Sequence, residues 1–291
     1  MEFMKGRGIY KVVISSTRWI NTLFALLFFL FAGGNVLLGQ SVKGQYRAIY
    51  ELKTKHNIPG IVSPDLWIVD IDGDLLRFYS HYTEHRNFVR DSVLNLTNNV
   101  YEAKGYIDGM KKGATDRYLF FLKDRKIRHI LGDLNRIYYE EKVIDPRWKI
   151  THKSKKVLTY DSQEATTEYG GRSWVVYYTD EVPMPYGPWK LHGLTGLITE
   201  AYTTDSLFHF TLKGFESVKE LVRDTYMNQE KEYSVRKLSK KEALGIRKDS
   251  NIDPLGALET QFFEGQQQLP LNHKYQQKVK EREKAYEYFE K

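Results

Sequence analysis

The chain has 291 residues, 44 Lys plus Arg against 37 Asp plus Glu (formal charge +7), 41% hydrophobic and 14% aromatic residues. Such composition belongs to a globular protein and excludes a wholly disordered chain. With no Cys, disulfides, thiolate metal sites, iron–sulfur clusters, cysteine nucleophiles and lipidated cysteines are excluded as well.

Residues 1–39 read as a secretory signal peptide. Lys5, Arg7, Lys11 and Arg18 precede the apolar run Trp19 to Ala32, which Gly33 and Gly34 close. A basic start, a short apolar core and small residues after it are the pattern of a cleaved leader. The core is shorter than the roughly 20 residues a membrane-spanning helix needs. The expectation is export to the periplasm or extracellular space, with no stable transmembrane span once the leader is removed. Removal takes four bases and one acid, leaving 40 bases and 36 acids, a net of +4. That bias is too weak to point to nucleic acid.

Past residue 40 the dominant signal is alternation of period two. Tyr46, Ala48 and Tyr50 alternate with Arg47, Ile49 and Glu51 between Ser41 and Lys53, which predicts a strand. Asp65 to Ile71 and Leu75 to Tyr79 flank Gly73-Asp74 as a hairpin. Asp70, Asp72 and Asp74 around Gly73 suggest a calcium loop, but the Gly comes too early for an EF-hand and no terminal Glu follows. Ser80 to Asn99 is polar and reads as helix or loop. Arg117 to Lys123, Lys126 to Asp133 and Asn135 to Lys142 are strand candidates, and Trp148 to Tyr160 a weaker one.

The densest strand region is Ser162 to Phe215. It contains Glu164 to Tyr169, the Gly170-Gly171 turn, Arg172 to Thr179, Leu197 to Thr203 and Leu207 to Lys213. Within the last strand Phe208, Phe210 and Leu212 share one face, and Leu207, His209 and Thr211 the other, as in an antiparallel sheet with one wet side. From Ser217 charge rises and β-branched residues thin out. Ser239 and Glu242 form a capping-box pattern at a helix start. Lys274 to Lys291 reads as a charged helical segment with a solvated face. The organisation expected is a signal peptide (1–39), an antiparallel β domain (40–220) and a charged helical or partly disordered extension (221–291). The fold class is mainly β: a curved sheet, half-barrel or sandwich.

Few residues carry obvious chemistry. No nucleophile elbow, Walker loop or dinucleotide glycine fingerprint occurs, and no cofactor is implied. His81, Glu84 and His85 fit H-x-x-E-H, which on a helix sets two histidines on one face with a Glu as general base. They are the candidate metal ligands. Arg172 opens a strand after two glycines; it suits an ion pair, or a carboxylate or phosphate ligand. Pro183 to Ile198 is too apolar for a free surface loop. It reads as a buried connection over one end of the sheet, or as an apolar rim that engages a partner or ligand. Arg172, Trp174, Trp189, Lys190, Leu194 and Leu197 are the candidate binding residues.

The same stretch resembles the bacterial GLPGLI family. The matching residues are Ala165 to Thr167, Gly171-Arg172 with Trp174, Tyr178-Thr179, Pro183, Gly187 to Leu191 and Gly193 to Ile198. Ile49 to Lys53, Phe210 to Glu216 and Asp253-Pro254 extend the resemblance over most of the chain. Thr195 stands where the family has its name-giving Pro, and Tyr178 where a Trp is expected. The resemblance implies a secreted, antiparallel β protein of Bacteroidota that accompanies TonB-dependent outer-membrane receptors, and it brings no assigned catalytic residues. The function expected is a non-catalytic binding module for an envelope protein. The alternatives are a carrier of an apolar ligand, or a metal-binding protein or hydrolase using His81, Glu84 and His85.

Overall fold

The computed structural model describes residues 42–132, 137–218, 236–257 and 273–290. The signal peptide expected at 1–39 lies outside them. All described residues belong to one compact unit, and none of their helices is long and apolar enough to cross a membrane.

Eleven antiparallel strands come from the alternating segments: β1 (Val42–Thr54), β2 (Asp65–Gly73), β3 (Leu75–Ser80), β4 (Arg117–Phe121), β5 (Lys126–Leu131), β6 (Ile137–Lys142), β7 (Lys149–Val157), β8 (Tyr160–Tyr169), β9 (Arg172–Thr179), β10 (Leu197–Thr203) and β11 (Phe208–Ser217). A two-residue strand, β12 (Arg236–Lys237), pairs parallel to β6. They form one open sheet ordered β12-β6-β5-β4-β3-β2-β1-β11-β10-β9-β8-β7. Two meanders, β2 to β6 and β7 to β11, are thus joined through β1. The mainly β expectation holds, with the sheet left unclosed.

Alternation sets the core face. Ala48, Tyr50 and Leu52 of β1, Trp67, Val69 and Ile71 of β2, and Phe208, Phe210 and Leu212 of β11 are all fully buried. Turn chemistry sets the register. Tyr169 pairs with Arg172, so Gly170-Gly171 is the whole β8–β9 loop. Both glycines have positive φ (60° and 72°), as a type I′ hairpin turn requires. A Cβ on Gly170 would also lie 2.7 Å from the Trp189 ring.

The polar segment after β3 folds into helix α1 (His81–Thr97), followed by α2 (Val100–Asp108). Neighbouring asparagines make the joint. Asn98 ends α1 in the left-handed region with its N–H on the Leu94 carbonyl. Asn99 caps α2 by accepting from the Tyr101 and Glu102 amides; α2 had no counterpart in the sequence reading. Helices α3 (Lys240–Ile252) and α4 (His273–Ala285) follow β12. The Ser239–Glu242 capping box at the start of α3 is formed.

The C-terminal segment departs from the solvated helical reading. After α4 the last described residues leave the helix and enter the β core, where Tyr288 and Phe289 are buried. Phe289 is 1% exposed and sits among Phe208, Phe210, Trp189 and Trp67, with ring centroids 4.7, 5.7, 6.0 and 6.3 Å away. Burying an aromatic side chain contributes a few kcal/mol, so the tail is part of the core of an open sheet.

Candidate functional site

The candidate binding residues gather around this tail. Arg172 is buried at the start of β9, where its Nε donates to the Tyr288 carbonyl at 2.8 Å and its Nη2 reaches the Glu287 carboxylate at 2.7 Å. Its guanidinium also lies 5.0 Å over the Phe208 ring. The carboxylate partner that suits an Arg at this position is therefore present within the chain. Lys190 donates to Glu141 and, at 2.8 Å, to Glu290; Lys240 donates to the same two carboxylates. Two lysines and two glutamates thus tie the tail to β6, α3 and the loop before β10. Burial would raise the Glu290 carboxyl, but the two ammonium groups outweigh it and hold it below the usual carboxylate range.

The loop from Pro183 to Ile198 is for the most part a buried connection. Trp189, Lys190, Leu191, Leu194, Leu197 and Ile198 are all buried, so they offer no exposed rim to a partner. Trp174 and Trp189 stack at 5.5 Å. Trp189 has φ +55°, a strained conformation for a bulky residue, held by packing. A Cβ on Gly196 would fall 1.8 Å from the Thr179 carbonyl oxygen, so only Gly permits that approach. Thr195 donates its hydroxyl to Asp180.

Residues that the sequence reading did not single out form a second buried cluster. Asp116 accepts from Arg247 Nε at 2.8 Å and from the Tyr288 hydroxyl at 3.0 Å. His129 Nδ1 lies 3.0 Å from the Tyr139 hydroxyl, and its Nε2 lies 3.2 Å from the Tyr288 hydroxyl. Tyr118 and Tyr288 share a 2.6 Å contact. One proton arrangement satisfies every member. Tyr139 donates to His129 Nδ1, His129 Nε2–H and Tyr118 donate to the Tyr288 oxygen, and Tyr288 donates to Asp116. Burial pushes His129 below the usual imidazole range despite its contact with Asp116, which fits that neutral tautomer. Burial would raise Asp116, yet the Arg247 guanidinium prevails and holds it below the usual carboxylate range. The residue types suit acid–base chemistry, and the hydrogen bonds of His129 and the tyrosines are made within the chain.

His81, Glu84 and His85 all lie on α1. The two rings stack in parallel with centroids 6.0 Å apart, but Glu84 turns to Arg117, with Oε2 3.0 Å from Nη2. Among the described residues no group of three or more His, Asp or Glu is placed to hold a metal. The i, i+4 spacing brings the two histidines together, while Glu84 is engaged in an ion pair with Arg117. Asp70, from the calcium-like pattern, is paired with Arg47 at 2.7 and 2.9 Å inside the sheet.

Two surface features remain. A cleft of about 540 Å³ lies beside Asp116 and Arg247, walled by one face of α1 and the C-terminal half of α3. The α1–α2 hairpin exposes Phe88, Leu96, Val100, Tyr101 and Tyr106, five of the nine exposed large hydrophobics among the described residues; Phe88 is 63% and Tyr101 88% accessible.

No family model and no curated protein matches the chain. Two solved structures of PNGF-II are similar to it. The first, in a C2 space group, is 13% identical, with a TM-score of 0.48 over 69% of this chain and 32% of that one. The second, in P21, is 14% identical, with a TM-score of 0.46 over 68% and 31%. The chain thus spans about a third of the length of those PNGF-II chains.

Proposed function

We propose that the chain is an exported envelope protein of the GLPGLI type that acts as a non-catalytic binding module for a protein partner. The partner the family resemblance implies is a TonB-dependent outer-membrane receptor. The observation that carries the binding surface is the α1–α2 hairpin, which gathers five exposed large hydrophobics within nineteen residues, 88 to 106. Exposed apolar side chains gathered on two adjoining helices support an interaction surface where they form a contiguous patch. Support for a non-catalytic role comes from the Asp116–His129–tyrosine cluster, whose hydrogen bonds are closed within the chain. An apolar-carrier reading has less support, because Phe289 and its aromatic neighbours fill the interior that such a ligand would need.

The test is capture of the receptor from the producer's own envelope by the exported chain and by a Phe88→Ala, Tyr101→Ala, Tyr106→Ala variant. These side chains are exposed, so folding stability should change by no more than about 0.5 kcal/mol at each site. The variant is expected to lose the receptor while keeping its melting temperature. Equal capture by both proteins would remove the hairpin from the interface, and recovery of the chain only from cytoplasm would remove the envelope role.

A further inference from the structure

The cleft beside Asp116 is built for an anion. Four cations line it (Arg86, Arg90, Lys112 and Arg247) with one lining carboxylate, Asp116, and Arg90 is paired outside the lining with Asp91 at 2.8 Å. That carboxylate is already bonded to Arg247 at 2.8 Å. Arg86 spends one nitrogen on the Ile107 and Met110 carbonyls at 2.9 and 3.1 Å, which fixes its side chain along the wall. Lys112 is exposed and has no ion-pair partner among the described residues. The cationic excess is therefore pre-organised and incompletely neutralised.

A second, independent observation concerns Asn87. It lines the same cleft between Arg86 and Arg90, is 7% exposed, and its side-chain nitrogen has no hydrogen-bond acceptor among the described residues. Buried polar groups are normally satisfied, and an orphan calls for an explanation. The nitrogen is buried from solvent, so an oxyanion or hydroxyl in the cleft would supply the missing acceptor once the amide rotates toward it.

Shape and polarity narrow the ligand class. The volume of about 540 Å³ falls in the usual small-molecule range of roughly 300–1,000 Å³. Thr83, Ser250 and Asn251 add neutral hydrogen-bonding groups, and Ile107 and Leu131 are the only sizeable aliphatic residues in the lining. Acyl chains would find little apolar wall there. Four cations less Asp116 and the Asp91 paired with Arg90 leave a net charge of two, which suits a dianion better than a single carboxylate, and guanidinium groups match phosphate oxygens in pairs. We propose that this cleft binds a soluble phosphate monoester with a hydroxyl-bearing body, of the sugar-phosphate class. This site is separate from the α1–α2 surface that meets the protein partner and does not depend on it.

The test is calorimetric titration of the full exported chain with glucose 6-phosphate, and with inorganic phosphate and glucose as comparisons. Saturable binding of glucose 6-phosphate is expected, with inorganic phosphate about tenfold weaker or more and glucose silent. Lys112→Gln removes an exposed ammonium with no bonded partner, so the fold is kept; affinity should fall about tenfold. Asn87→Asp, which sets a carboxylate where the donor stood, should weaken binding further, with its melting temperature compared with the parent's because the residue is nearly buried. Absence of saturable binding, equal affinity for inorganic phosphate, or affinity unchanged in both variants would each overturn the assignment.

Discussion

Phe289→Ala tests whether the C-terminal tail belongs to the core. The ring is 1% exposed and meets Phe208 at 4.7 Å, Phe210 at 5.7 Å, Trp189 at 6.0 Å and Trp67 at 6.3 Å. Its pocket is walled by strands of one continuous sheet, which limits collapse into the void. Truncating such a Phe costs about 3–5 kcal/mol, comprising lost transfer energy and the cavity left behind. That is a large share of the roughly 5–15 kcal/mol that holds an ordinary domain together. For a chain this long each kcal/mol moves the melting temperature by about 2–4 °C, so a drop on the order of 10 °C is expected by calorimetry. Water reaching Trp67 and Trp189 should also shift their fluorescence to the red. Phe289→Leu keeps most of the volume and should lose much less. A Phe289→Ala variant that melts within about 2 °C of the parent, with unchanged fluorescence, would refute the tail's place in the core.

Two further predictions concern the buried charges. Asp116→Asn or Arg247→Met alone leaves one partner of a buried pair uncompensated and should cost about 3–5 kcal/mol in urea unfolding, while the double variant should cost less than the sum; single losses under about 1 kcal/mol would show that the pair is solvated. Burial depresses both His129 and His192, so the unfolded chain takes up protons near the ordinary value of 6.5 that the folded chain refuses. Their contribution is fully present above pH 6.5 and declines below it, by up to about 1.4 kcal/mol per pH unit for each. Asp65, pushed up to about 6 by burial, works the other way: its folded carboxyl binds a proton that the unfolded one refuses until near pH 4. The urea midpoint should therefore fall as pH drops from 7.5, and fall less steeply below about 6, where Asp65 offsets one histidine. A midpoint that stays level between pH 7.5 and 5.5 would contradict this.

The sheet was legible because each strand carries its own face in its alternation. In β11, Phe208, Phe210 and Leu212 are buried, while Leu207, His209 and Thr211 are partly exposed, as the period-two pattern requires. Gly170-Gly171 announced its hairpin for a similar reason, since two successive positive φ values are a local demand. The tail was hidden because burial of Tyr288 and Phe289 depends on residues such as Trp67 and Phe208 that are remote in sequence. Nothing periodic marks five residues after a charged helix; the one local cue is three aromatics in Tyr286 to Phe289. Arg172 was recognisable as a carboxylate ligand, but Glu287 lies 115 positions away. The α1–α2 hairpin escaped for the opposite reason: Phe88 and Tyr101 in a polar stretch look like ordinary helix faces until the fold leaves them outside.

The two edges of the sheet bear on how a partner would be met. An open sheet offers unpaired backbone at each end, which invites strand addition. At one end β7 carries Lys149, Lys153, Lys155 and Lys156, and its pairing with β8 is irregular between Ile150 and Ser154. Edge lysines and bulges both disfavour an incoming strand. At the other end β12 covers only two residues of β6, pairing Arg236 with Ile137 and Lys237 with Tyr138, and Lys237 also reaches Glu140 at 2.6 Å. With both edges blunted, and with Phe289 and its neighbours filling the core face, a partner that docks by apolar contact finds most of the exposed large hydrophobics of the described residues outside the strands, Ile150 of β7 being the exception. The α1–α2 hairpin is where that surface is concentrated. Reversing the charge of Lys155 and Lys156 should therefore leave receptor capture intact, while the triple substitution at Phe88, Tyr101 and Tyr106 abolishes it. The reverse result would place the partner on the β7 edge.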